Sequence, residues 1–129
     1  MRITRIYPGA DGQSHFEELT VPLGEGRVGW VSALVPGGGT IFRVTRPGWS
    51  NEFHCAPRRQ FVVTLSGAAE ISCGDGTSRR FGPGDVMLAD DTTGQGHVTR
   101  ELEPERRSLF LPVADDFDVA TWRTPPGTA

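Results

Sequence analysis

The sequence predicts an all-β protein, folded as a closed barrel or as a double-sheet jelly roll. Short apolar runs recur along the chain between glycine, proline and aspartate punctuation. With 17 glycines and 10 prolines among 129 residues, turns are frequent. No segment places apolar residues at i, i+3, i+4 and i+7 between caps, apart from a weak pattern after Asp115. Many short strands at this spacing suit a sheet that closes or doubles over.

Ten strands are expected, over residues 2–7, 16–20, 28–35, 40–45, 60–65, 68–72, 78–81, 85–89, 96–102 and 107–113. Ser66-Gly67 splits one long run into the fifth and sixth of these. Gly74-Asp75-Gly76 reads as a hairpin turn, because these residues accept positive φ. Gly82-Pro83-Gly84-Asp85 is a second tight turn. Gly37-Gly38-Gly39 sits in a proline-led turn, so a phosphate cradle is not expected there. The tail, 124–129, reads as loose. The length fits one domain over 1–129, with enough chain to bury a core without disulfides.

Composition removes several function classes. A net charge of −3 and a pI near 5.5 give no electrostatic reason to bind nucleic acid or an anionic membrane. No apolar run approaches the ~20 residues of a membrane helix. The N-terminus MRITRIYPGA lacks the apolar centre of a signal peptide, so the cytoplasm is the expected compartment. All 13 cations are arginine, which excludes lysine Schiff-base chemistry. Cys55 and Cys73 are read as free thiols. There is no P-loop, no Gly-x-Ser-x-Gly elbow, no dinucleotide fingerprint and no paired-cysteine zinc motif, so no nucleotide cofactor is expected.

The stretch GWSNEFHCAPRRQFVVTLSG carries the most chemistry. Gly48 leads to His54, then Gln60, then Gly67. Further on, Gly84 is followed by Gly94-x-x-His97. The order and spacing resemble the two signatures of the cupin superfamily, in which Gly, two His, Glu and Gly precede Gly, Pro, Gly, His and Asn. Ala56 replaces the second His and Gln60 the Glu; Asp90 stands where Pro is expected and Glu101 where Asn is expected. The words HCAPRRQ, DGTSRRFGPGD and DDTTGQGH are similar to those of small single-domain bacterial cupins. The resemblance spans residues 48–101. It implies a jelly-roll β-barrel, often dimeric, whose interior holds one Fe, Mn, Ni, Zn or Cu ion in many members. A homodimer is therefore expected, through the sheets or through residues 1–20, which would be exchanged or packed at the interface.

Alternation along strands groups the candidate site residues. Glu52, His54 and Ala56 share a face; Gln60, Val62 and Thr64 share another; His97, Thr99 and Glu101 share a third. The resemblance turns the His54 and Gln60 faces into the barrel. A metal would take His54, Gln60 and His97, with Glu52 as the nearby anionic ligand, since divalent ions favour imidazole plus a carboxylate. Without metal, His97 or His54 would serve as general base. Trp49 and Phe53 would line an apolar entrance, and Arg59, of the pair Arg58-Arg59, would hold an anionic group. His15 is a further candidate for the pocket mouth. The run Asp90-Asp91-Thr92-Thr93 is read as a loop that also braces the strand carrying His97. Arg79-Arg80 and Arg106-Arg107 are read as outward or edge-strand charges, and Trp30, Phe42, Phe61 and Phe110 as core. Two functions follow: a small-molecule enzyme of dioxygenase, isomerase or cyclase type, with or without one metal, or a non-catalytic metabolite-binding or sensor protein.

Overall fold

A computed structural model describes residues 1–123; the expected loose tail lies outside the described residues. The strands are β1 (Arg2–Pro8), β2 (Ser14–Thr20), β3 (Gly24–Glu25), β4 (Trp30–Val31), β5 (Ile41–Thr45), β6 (Gln60–Ser66), β7 (Ala69–Cys73), β8 (Ser78–Phe81), β9 (Val86–Ala89), β10 (His97–Glu101) and β11 (Arg106–Pro112). The all-β expectation holds, and the two turns read from glycine are present. Gly76 has φ +89° in the β7–β8 hairpin, and Gly84 has φ +86° before β9. Among the described residues no helix is long and apolar enough to cross a membrane.

The strands form a six-stranded sheet in the order β2-β1-β9-β6-β11-β5, a three-stranded sheet β10-β7-β8, and the short ribbon β3-β4. Among the described residues only β1 and β9 run parallel; the other pairs are antiparallel. No sheet among the described residues closes on itself, so a closed barrel is not what forms. Period-two burial turns one face of each sheet inward. Gln60, Val62 and Thr64 of β6 are buried, as are Ala69, Ile71 and Cys73 of β7, and His97, Thr99 and Glu101 of β10.

Two apolar clusters hold the sheets. Between them, Ile6, Val62, Met87, Ala89 and Phe110 of the large sheet pack against Ile71, Cys73 and Phe81 of the small one. On the other face of the large sheet, Ile3, Leu19 and Leu88 are covered by Val113, Val119 and Trp122. The weak helical pattern after Asp115 becomes only the 3-10 turn Ala120–Trp122, which lays Trp122 near Phe61 and Phe117.

Three expectations change. Of the strand expected over 28–35, only Trp30–Val31 pairs, and only with Gly24–Glu25. Beyond that short ribbon the segment joins no sheet among the described residues: Val28 is 100% exposed and Leu34 92%. Trp30 and Phe42 are exposed rather than core, because β5 is a sheet edge and its outer face has no cover. Arg106 is buried rather than outward, because alternation lets only one of two successive strand residues face solvent and Arg107 takes that side.

Candidate functional site

Residues 48–57 run alongside β10 as an irregular extra strand. Gly48 N–H donates to Glu101 O, and Asn51 N–H to Thr99 O. His54 and His97 form an antiparallel bridge, with N···O distances of 3.0 and 2.9 Å. This approach depends on Gly96, which has φ +79°; a Cβ there would stand 2.0 Å from His54 O. The bridge sets the two imidazoles with ring centroids 4.7 Å apart.

Both imidazoles border a cavity of about 330 Å³ between the two sheets. Its apolar wall comes from Val62, Ile71, Met87, Ala89 and Phe110; its polar groups are Arg43, Asn51, His54, Gln60, His97, Thr99 and Arg106, and Trp49 stands at its side. A mostly apolar wall with a few convergent polar groups is the usual make-up of a small-molecule site.

His97 is the most constrained polar group there. Its Nδ1–H donates to Asp91 Oδ2 at 2.5 Å, and neither side chain is more than 6% exposed. Ser14 Oγ donates to the same oxygen at 2.8 Å, which anchors the carboxylate to β2. With Nδ1 holding the proton, Nε2 carries the lone pair, and it has no partner among the described residues. A carboxylate behind an imidazole fixes both tautomer and ring orientation. The loop Asp90-Asp91 thus splits its work. Asp91 points inward to His97, while Asp90 points outward and joins Arg5 Nε at 2.8 Å to Arg59 Nε at 2.9 Å.

His54 is arranged differently. Asn51 Oδ1 accepts the Thr99 N–H at 2.8 Å, so its amide NH₂ faces His54 Nε2 at 3.3 Å. His54 Nδ1–H then donates to Glu52 O at 3.2 Å. Both ring nitrogens are engaged, Nε2 by Asn51 and Nδ1 by the Glu52 carbonyl. Gln60 Oε1 accepts from Arg58 at 3.1 Å, which leaves its NH₂ as the group for the cavity.

At the opposite end, Arg106 forms a two-point pair with Glu101, Nε–Oε2 2.9 Å and NH2–Oε1 2.7 Å. Glu101 faces inward with His97 and Thr99, as alternation predicts. The pair is almost wholly buried, and losing one partner would strand a charge at a cost of roughly 3–5 kcal/mol. Beside it, Arg43 projects from the inner face of β5, its guanidinium carbon 4.2 Å from the Phe110 ring centroid.

The sequence-derived site set therefore separates. His54, His97, Gln60 and Trp49 border the cavity. Glu52 and Phe53 are exposed outside its lining. Arg59 is also outside it, because its guanidinium is spent on Asp90 and on the carbonyls of Ala114 and Phe117. His15 lies between Asp11 and Asp75, away from the cavity. Of the four expected ligands, His97 presents an unengaged donor nitrogen, His54 has both ring nitrogens hydrogen-bonded, Gln60 turns its NH₂ to the cavity and Glu52 stands outside it; among the described residues no group of three His, Cys, Asp or Glu converges. Asn51, Arg43, Ser14 and Gly96 carry no sequence signal that separates them from ordinary strand and turn residues; Asp91 was legible only as a brace for the His97 strand.

No family model matches the chain, and no curated protein matches it. Among solved structures, a conserved protein of unknown function from Streptococcus pyogenes is similar at 20% identity, with a TM-score of 0.44, over 67% of this chain and 71% of that one.

Proposed function

We propose that the two facing sheets form a cupin-type jelly roll and that the cavity between them acts on a small molecule by proton transfer without a metal, His97 being the general base and Asp91 its positioning residue. The observation that carries this reading is the His97 Nδ1–Asp91 hydrogen bond, which leaves Nε2 as the unengaged basic atom at the cavity. A positioned imidazole contributes about 10²–10⁴-fold to a proton-transfer step. Isomerase, lyase and cyclase reactions all use such a step. Two free thiols, one of them buried, support the cytoplasm as the compartment.

Deuterium exchange at carbon acids next to a carbonyl, followed by NMR over a panel of small oxo-compounds, tests the reading. Wild-type protein is expected to catalyse exchange in at least one. His97→Ala removes it and Asp91→Asn lowers it by about a hundredfold, with both folds intact. Unchanged exchange in His97→Ala overturns the assignment. Saturable binding with no exchange supports a sensor or binding protein instead. Metal analysis of untagged protein after incubation with Fe, Mn, Ni, Zn or Cu is expected to find no stoichiometric ion; one equivalent would reinstate the metal reading.

We also propose a homodimer. Residues 23–35 form an arm whose Val28, Trp30, Val31 and Leu34 lack cover among the described residues. The outer face of β5 shows Phe42 and Val44 beside Leu65, also uncovered. One copy's arm laid on the other's β5 edge covers both, and a twofold axis repeats the contact.

A further inference from the structure

Arg43 has no part in the proton-transfer reading, yet its surroundings are specific. It lies on the inner face of β5, opposite Ser108 of β11, where the neighbouring inward residues are Ile41 and Thr45. Its guanidinium rests on the Phe110 ring and borders the cavity. The charges around it do not balance. Arg43 and Arg106 are both cationic, and Glu101 is the carboxylate beside them, with both of its oxygens taken by Arg106. Among the described residues Arg43 has no ion-pair partner. Arg43 stays open to solvent on one side; partial desolvation against the cavity wall, and then the charge of Arg106, lower its pKa, with Glu101 pulling the other way. A cation in that position is one that an incoming anion would relieve.

We propose that Arg43 is an anion subsite, so that the substrates of the cavity are small molecules carrying a carboxylate. Guanidinium recognises carboxylate through a planar two-point contact, which fixes orientation as well as charge. The apolar wall of Val62, Ile71, Met87 and Phe110 favours a partly apolar ligand body. The NH₂ of Gln60 and the hydroxyl of Thr99 border the same space and offer neutral polar contacts. A molecule held by its carboxylate at Arg43 extends toward His97, and this last orientation rests on the general-base reading.

Benzoate and benzamide are nearly isosteric and differ in charge, so they test the subsite by titration in backbone amide NMR spectra. Wild-type protein is expected to bind benzoate at least about tenfold more tightly than benzamide. Arg43→Gln should bring benzoate down to the benzamide level without changing benzamide binding. Arg43→Lys should keep part of the preference, which guards against a variant that simply misfolds. Equal affinities in wild type, no saturable binding of either probe, or a preference that survives Arg43→Gln would overturn the proposal. The general-base reading fails separately, if exchange persists in His97→Ala while the charge preference stands.

Discussion

Gly96 shows how much one residue decides in this site. The His54–His97 bridge exists because the chain before His97 has no side chain and adopts a left-handed conformation. Gly96→Ala meets both barriers, the positive φ and a backbone oxygen 2.0 Å from the new Cβ. The conformational cost alone is about 1–2 kcal/mol, and the contact adds to it. The expected result is a lower melting temperature, with amide shifts concentrated in residues 48–57 and 94–99; a variant with wild-type shifts there would show that the bridge is dispensable. Asp91 acts at the same scale. It lies six residues before His97, yet no spacing rule says that it, and not Asp90, turns inward. The neighbours decide: Arg5 and Arg59 claim Asp90 on one side, and Ser14 and His97 claim Asp91 on the other.

At the scale of elements, the turns do more than connect strands. His15 on β2 links the turn after β1 to the β7–β8 hairpin, with Nε2 2.9 Å from Asp11 and Nδ1 2.8 Å from Asp75. It therefore straps the large sheet to the small one. Hydrogen bonding to Asp11, offset partly by desolvation and reinforced by Asp75, raises the His15 pKa above its usual 6.5. The Asp11 pKa falls, chiefly through His15, and the Asp75 pKa falls through Thr77 first and His15 after it. A raised imidazole pKa stabilises the fold below the unfolded value of 6.5, and this is lost as pH rises through the folded value. Lowered carboxylate pKa values stabilise it above 3.8, and this is lost as pH falls through their folded values. The strap is thus at full strength between 3.8 and 6.5. Thermal melts should show wild type losing its advantage over His15→Gln as pH rises from that window into the mildly alkaline range. An advantage that stays constant across pH would mean that the strap is not ionic. Strand positions were largely legible at this scale, since β8 spans the expected residues and most others shift by one or two. The expected strand at 28–35 was not, because a β-branched run becomes a strand only where a partner's edge is within reach.

For the whole molecule, the uncovered apolar surface is the feature that one chain leaves unresolved. Phe42 is 80% exposed and Trp30 73%, on an edge strand and on an arm that leaves the body of the fold. Exposed apolar edges of this kind are contact surfaces or aggregation sites. Light scattering coupled to size exclusion is expected to give a dimer for wild type. The double variant Phe42→Asp with Val44→Asp is expected to give a monomer, with a melting temperature that no longer rises with concentration. A monomeric wild type would remove the exchange of arms. The same measurement bears on the site, since Arg43 shares β5 with Phe42 and Val44 and points to the opposite face.

The all-β class, the turns at Gly67, Gly76 and Gly84, and the grouping of His97, Thr99 and Glu101 on one face were legible in the residues themselves. These follow from period-two alternation and from backbone conformations that only glycine accepts readily, both of which are local; which way the His54 and Gln60 faces turn came from the family resemblance alone. Only the tertiary structure decided which polar groups meet. It paired Asp91 with His97 and Asn51 with His54, drew Arg106 inward onto Glu101, and left Glu52 and Arg59 outside the cavity. These partners stand only three to six residues apart in the chain, but which of them meet is set by groups brought in from distant segments, Ser14 onto Asp91 and the Thr99 N–H onto Asn51. Charge satisfaction in a low-dielectric interior is a property of the packed molecule, and no window of sequence contains it.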